Sequence, residues 1–171
     1  SRRRQIGILR RLAPEAAREL TKLLAYEDQT AGSLMTTQFI SLNVNLTSEQ
    51  SLVTLSSKLR SAEIDPDTFI YYVYAEDDNA RLVGMCSLRE LLKASPNTQL
   101  KDLINTNLIT VSPADHQGAV ARIIADYDFT AIPVVENEGG KILGIVTVDD
   151  VIDVLQDEYT EDILKLAGTE D

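Results

Sequence analysis

Apolar positions recur first at helical spacing. Ile6, Leu9 and Leu12 share one face, Pro14 suits the first turn of a new helix, and Ala16, Ala17, Leu20, Leu23 and Leu24 continue the period. Two such segments bury little by themselves, so they are expected to be the last helices of a larger helical unit. The polar stretch from Tyr26 to Ser33 follows, and Gly32 within it reads as a breaker at a domain boundary.

From Leu34 onward the pattern repeats. Residues 34–42 parallel 103–111 at an offset of 69, and residues 82–92 parallel 142–152 at an offset of 60. The first copy thus carries about nine extra residues, most simply in the polar stretch from Ser61 to Thr68. Each copy reads as strand, helix, strand, strand, helix. Thr47 and Gln50 have capping-box spacing ahead of the stripe Leu52, Leu55 and Leu59. In the second copy Val120, Ile123, Ile124 and Tyr127 mark the buried face of the matching helix. Strand pairs are expected at Phe69–Ala75 with Leu82–Ser87, and at Ala131–Val135 with Ile142–Thr147, each joined by a turn-rich segment. The expected fold class is α/β, of the α+β kind. Each small sheet carries helices on one face, so the two copies should pack against one another across their sheets.

A last helical stripe runs through Val148, Val151, Ile152, Leu155, Tyr159, Ile163 and Leu166 and ends at Gly168, a C-terminal stop signal. This is one helix of roughly 30 Å.

The 171 residues are 44% hydrophobic and 25% charged, a balance that excludes collagen-like, purely coiled-coil and disordered chains. Cys86 is the single cysteine, so neither an internal disulfide nor a cysteine-rich zinc module is expected. The longest apolar run, Phe69–Ala75, has seven residues, where a bilayer-crossing helix needs about twenty. Pro14 and Glu15 follow the N-terminal arginines too soon for a signal peptide. The net charge of −11 is unevenly spread: residues 1–22 hold seven basic and two acidic side chains, and the remainder holds nine basic and twenty-five acidic. Such a surface repels nucleic acid and anionic lipid and attracts cations. The alternative is a solvated acidic surface that only keeps the chain soluble.

Two features carry candidate chemistry. Thr147/Asp150 and Ser87/Glu90 place a hydroxyl at a strand-to-helix junction with a carboxylate one turn on. A hydroxyl there caps the helix or meets a phosphate, and the carboxylate can accept from ribose hydroxyls. Simple capping and nucleotide binding both remain open. The last helix carries Asp149, Asp150, Asp153, Asp157, Glu158, Glu161 and Asp162 opposite its apolar stripe, offset by Lys165 alone. Like charges at i,i+4 destabilise a helix by about 0.2–0.5 kcal/mol per pair, and a hard divalent cation reverses that sign. Magnesium, which binds through one or two carboxylates and keeps its waters, suits such a surface.

The doubled unit, with Gly144-Ile145-Val146-Thr147-Val148-Asp149-Asp150 in register with Gly84-Met85-Cys86-Ser87-Leu88-Arg89-Glu90, resembles a tandem CBS pair covering about 34–158. The stretch from Tyr26 to Thr36, and the run from Ile145 to Leu155 leading into Thr160-Glu161-Asp162-Ile163, resemble the cytosolic part of MgtE magnesium transporters. The resemblance implies four parts. Residues 1–32 would be the end of a helical N domain with its linker, 33–96 and 97–158 the two CBS motifs, and 148–168 an acidic connecting helix. It implies ATP or another adenine nucleotide, with Tyr72 near the base and Arg89 near phosphates or ribose, beside Ser87, Glu90, Thr147 and Asp150. It also implies Mg2+ at Asp149, Asp157, Glu158, Glu161 and Asp162, and at Asp128 with the carbonyl of Ala125, at the end of a helix that Tyr127 helps bury. Glu27 and Asp28 would lie on the N-domain side, with Gln29 replacing an acidic residue common in the family.

His116 reads as a surface or capping residue, and Cys86 as a buried small hydrophobe. No activated nucleophile and no phosphate-binding G-x-x-x-x-G-K is found, so an enzyme is not expected. Two functions follow. One is a magnesium-sensing regulatory domain at the cytoplasmic face of the cell membrane, a homodimer attached to the membrane domain of the same polypeptide. The other is an adenine-nucleotide-sensing CBS module that regulates a different enzyme or transporter.

Overall fold

Capping chemistry sets where the helices of each repeat begin. Thr47 stops an extended segment, its Oγ1 accepts from the Gln50 amide at 3.3 Å, and Gln50 Oε1 accepts from the Thr47 amide at 3.0 Å. Helix Ser48–Arg60 starts there, satisfying two donors that a helix N-terminus leaves orphaned. Its counterpart Gln117–Tyr127 starts at His116, whose Nδ1 accepts from the Gly118 amide at 3.2 Å, which is the capping role expected of this histidine.

The computed structural model describes residues 26–61, 64–137, 139–166 and 168; the two helices expected before Tyr26 lie outside them. In chain order the elements are α1 (Ala31–Leu34), β1 (Ile40–Asn43), α2 (Ser48–Arg60), β2 (Tyr72–Glu76), β3 (Leu82–Ser87), α3 (Leu88–Lys93), α4 (Gln117–Tyr127), β4 (Ala131–Val135), β5 (Ile142–Thr147) and α5 (Val148–Leu166), with a 3-10 turn at Leu100–Asp102. Gly168 beyond α5 has φ +71°, the left-handed conformation of a helix stop.

In the first copy β1 pairs in parallel with β2, which pairs antiparallel with β3. β2 begins at Tyr72, later than the expected Phe69, because its parallel partner starts at Ile40 opposite Val73 and leaves earlier residues no strand to bond. Phe69 and Tyr71 are exposed and stack on each other, with centroids 6.1 Å apart. In the second copy β4 and β5 form a hairpin, and the expected first strand shrinks to one parallel bridge between Val111 and Val134. Val111 donates to the Pro133 carbonyl at 3.1 Å and accepts from Val135 at 2.9 Å. The next bond of that ladder would be donated by residue 133, and proline has no N–H.

The two copies are exchanged at their edges. Thr36, ahead of β1, forms an antiparallel bridge with Ile145 of β5, and Asn105 forms the equivalent bridge with Met85 of β3. Thr30 bridges His116, and Thr47 bridges Gln99 in the same pseudo-two-fold relation. Close backbone approach makes this possible at two glycines: a Cβ on Gly84 would lie 2.6 Å from Ile104, and one on Gly144 would lie 2.8 Å from Met35 and from the Thr36 carbonyl.

Three buried clusters result. Ile40, Leu42, Leu55, Val73, Cys86 and Leu91 fill the first copy, while Val120, Ile124, Val134, Val146, Val151 and Val154 fill the second. Between the sheets lies a third, with Tyr74 and Leu82 from one copy and Ala131, Val135, Ile142 and Ile145 from the other. The sheets therefore pack on each other, as their size required.

Gly32 is not a breaker. It lies buried within α1, and its amide donates to the Pro113 carbonyl at 2.9 Å while that of Ala31 donates to Asp115 at 2.7 Å. Ala31 and Met35 join the core of the second copy, so this polar-looking segment is a docked strap.

Candidate functional site

β3 and β5 each deliver a hydroxyl to the start of the following helix. Ser87 Oγ accepts from the Glu90 amide at 3.1 Å and donates to Glu90 Oε2 at 2.7 Å; the Ser87 amide donates to the same oxygen at 2.9 Å. Thr147 repeats this with Asp150 Oδ2, from its amide at 3.0 Å and from its hydroxyl at 2.6 Å. Both hydroxyl–carboxylate elements thus form helix caps. The Ser87 hydrogen bonds hold the Glu90 carboxyl below the usual carboxylate range, because they favour its charged form.

The surroundings of the two caps differ. Beside Ser87 lies an open cleft of about 540 Å³, lined by Ile70, Tyr71 and Tyr72, by Leu88, Arg89, Leu92 and Lys93 of α3, and by Thr130 from the other copy. Tyr72, Ser87 and Arg89, which the resemblance groups at a nucleotide, therefore line one cleft. Glu90 and Asp150 are exposed and outside that lining. Thr147 instead borders a recess of only about 20 Å³, lined by Phe39, Phe69, Tyr72 and Tyr74 among others. Tyr74 is 1% exposed, sits edge-on to Phe39 at 5.9 Å, and its hydroxyl has no partner among the described residues. Burial pushes that phenol above its usual range, with the neighbouring Tyr72 adding to the shift. Sequence reasoning missed Thr130 and Lys93. The offset of 60 that relates Thr130 to Ile70 pointed to the first, and the i,i+4 spacing from Arg89 pointed to the second.

The acidic positions lie elsewhere. Asp149, Asp150 and Asp153 are exposed on α5, while Val151 and Val154 of the same helix are buried. For Asp157, Glu158, Glu161 and Asp162 the structure describes the helical backbone alone. Asp128 follows α4 with φ 54° and ψ 40°. The Phe129 amide donates to Ile124 at 3.0 Å and the Asp128 amide to Ala125 at 3.4 Å, which is a Schellman motif with aspartate where glycine is usual. The Ala125 carbonyl thus already accepts one bond, and the Asp128 carboxylate is exposed. Tyr127 does not help bury this helix end: it is 60% exposed and stacks on Phe129 at 5.4 Å, because the left-handed turn ends the stripe at Ile124. Among the described residues no three Asp, Glu, His or Cys side chains converge on one point. Cys86 is buried, and desolvation pushes its thiol up to about 11, with the charge of Glu90 adding to the effect. Among the described residues no helix is long and apolar enough to cross a membrane.

Residues 100–157 match the CBS domain family. The chain is 43% identical, over 159 residues covering 93% of its length, to the magnesium transporter MgtE of Thermus thermophilus. It spans about a third (34%) of that curated relative's length. Among solved structures, the soluble part of a magnesium transporter matches with TM-score 0.78 and 44% identity, covering 88% of this chain and 56% of that one. The ATP complex of the cytosolic domain of the Mg2+ channel MgtE matches with TM-score 0.78 and 40% identity, covering 86% and 57%. With identity at this level running through nearly its whole length, the chain belongs to the MgtE family, as the stretch that holds its tandem CBS pair.

Proposed function

We propose that this chain is the cytosolic regulatory region of a magnesium transporter, sensing magnesium and binding an adenine nucleotide, and regulatory rather than catalytic. In this reading residues 1–32 end a helical N domain, 33–96 and 97–158 are the two CBS motifs, and 148–168 connect to a membrane domain of the same polypeptide. The observation that carries it is α5. Its buried side is anchored in the second copy through Val151 and Val154, and its other side presents Asp149 and Asp153 one turn apart to solvent. The sequence extends the same acidic face through Asp157, Glu158, Glu161 and Asp162.

Such carboxylates repel one another along the helix. Asp149 and Asp153 are exposed, and among the described residues no set of ligands converges, which fits a weakly held, water-retaining cation shared between elements better than a closed cage. When bound, magnesium supplies a divalent charge that joins oxygen ligands from two surfaces. Asp128, on the exposed end of α4, offers a further carboxylate beside the Ala125 carbonyl. A homodimer is supported by a groove of about 920 Å³ between α2 and α3, where Val53 and Leu92 are 67% and 62% exposed. The nucleotide is assigned to the open cleft, with Tyr72 against the base and Arg89 toward the phosphates; the MgtE cytosolic domain of similar fold was solved with ATP.

Thermal melting tests the cation part. At ten times its dissociation constant, magnesium is expected to add about 1.4 kcal/mol by mass action. That raises the melting temperature by about 3–6 °C. Sodium at matched ionic strength should do less, since screening relieves only exposed repulsion. Equal shifts with both salts would overturn the reading in favour of a merely solvated acidic surface.

A further inference from the structure

We propose that Lys93 is a specificity-determining residue of the open cleft: with Arg89 it reads the length of the phosphate chain and favours a nucleoside triphosphate over a monophosphate. The inference rests on the nucleotide reading above and extends it to a residue that sequence motifs did not single out.

The charge pattern of the cleft is the starting point. The chain as a whole carries −11, yet the cleft lining contains two cations, Arg89 and Lys93, and no carboxylate. Both side chains are exposed, and among the described residues neither is engaged by a carboxylate. An acidic chain that keeps one cleft free of acids and places two cations there has a local preference for anions, and the field of the remaining surface makes that preference local to the cleft.

Their spacing gives the preference a direction. The two residues are four apart on α3, so they lie on the same face and one turn, about 6 Å, apart along the axis. A single phosphate held at Arg89 leaves Lys93 unused. A chain of phosphates running along α3 reaches both. Tyr72 pairs with Ser87 and the Tyr71 carbonyl accepts from the Leu88 amide, so the apolar and aromatic part of the lining, Ile70, Tyr71 and Tyr72, adjoins the start of α3, which suits a planar base at the Arg89 end and fixes the polarity of the ligand. Lysine suits the distal end, since its flexible stem carries a point charge able to follow a mobile terminal phosphate, whereas Arg89 offers a planar fork nearer the base.

Calorimetry on the chain with ATP, ADP and AMP, at low free divalent cation, tests this. Lys93→Met keeps the apolar stem and removes the charge at an exposed site, and an unchanged melting temperature will show the fold intact. Wild type is expected to prefer ATP to AMP, and Lys93→Met to weaken ATP by about three- to tenfold with AMP nearly unaffected. Arg89→Met should weaken all three. If wild type binds AMP but Lys93→Met leaves the ATP-to-AMP ratio unchanged, or weakens both nucleotides equally, the role of Lys93 is refuted and the nucleotide site stands. If wild type binds none of the three, the nucleotide site falls and this proposal falls with it.

Discussion

Replacing Gly84 by alanine would place a methyl group 2.6 Å from Ile104 Cδ1 and 2.9 Å from its Cβ and Cγ1, at the point where the start of the second copy crosses β3 of the first. Two terms compete. Alanine restricts the unfolded chain and suits a strand better, a gain of about 0.4–1 kcal/mol. Against it stands overpacking in a closed site, which costs about 1–3 kcal/mol. Ile104 Cβ cannot move without its backbone, and because the residue is β-branched its χ1, and with it Cγ1, has little freedom to turn away. That backbone is tied to β3 by the Met85–Asn105 bridge, with amide–carbonyl distances of 3.1 and 2.8 Å. The steric term should win, leaving a net loss of about 1–2 kcal/mol. This corresponds to a fall of about 2–8 °C in melting temperature. The double variant Gly84→Ala/Ile104→Ala should be less destabilised than the sum of its parts by about 1 kcal/mol, because the Cγ1 and Cδ1 overlaps disappear and only the Cβ contact remains. At the pseudo-equivalent Gly144 one of the nearest atoms is the Thr36 carbonyl at 2.8 Å, fixed by its bond from the Ile145 amide at 2.9 Å. Gly144→Ala should therefore cost at least as much, and Met35→Ala should rescue it poorly. Urea and thermal unfolding of these single and double variants decide the matter. A stabilised Gly84→Ala, or a strictly additive Gly84→Ala/Ile104→Ala pair, would refute the claim that the two halves are locked by backbone approach at these glycines.

Asp128→Gly separates ion binding from structure at the end of α4: glycine suits the left-handed position, so the unliganded chain should gain up to about 1 kcal/mol, while the thermal response to magnesium should shrink. A destabilised variant with an unaltered magnesium response would show the Asp128 carboxylate to be a structural group only. Glu90→Gln keeps a capping partner for Ser87 but removes the charge. Glu90 is exposed and its folded-state pKa is depressed, so its contribution, screened to a few tenths of a kcal/mol, is present above the unfolded carboxylate value and is lost as pH falls through the folded one. Melting of the two proteins should therefore differ at neutral pH and converge as the pH drops below about 4, and a constant offset across that range would count against the cap as the cause.

The repeat, the α2 capping box, the β3, β4 and β5 boundaries and the stop of α5 at Gly168 were all legible in the sequence, because each is written in local chemistry: a side chain bonding a backbone group three residues away, or an apolar period that one element can satisfy alone. The exposed carboxylates Asp149, Asp150 and Asp153 at the start of α5 and the hydroxyl–carboxylate caps were legible for the same reason. Tertiary structure decided what depends on a distant partner. The polar run before Leu34 looked like a linker, yet Ala31, Gly32 and Met35 are buried because the second copy supplies the carbonyls of Pro113 and Asp115 and an apolar floor. Tyr127 kept the helical period but not the burial, since the left-handed Asp128 turned the chain away. The two caps, alike in sequence, came to differ in their surroundings: Phe39, Phe69 and Tyr74, distant in sequence, line a small recess beside Thr147, whereas the space beside Ser87 is a larger cleft reached by Thr130 and Lys93. A linear pattern records which residues want to be buried or charged; which cavity remains after all of them are packed is fixed only by volumes meeting in space.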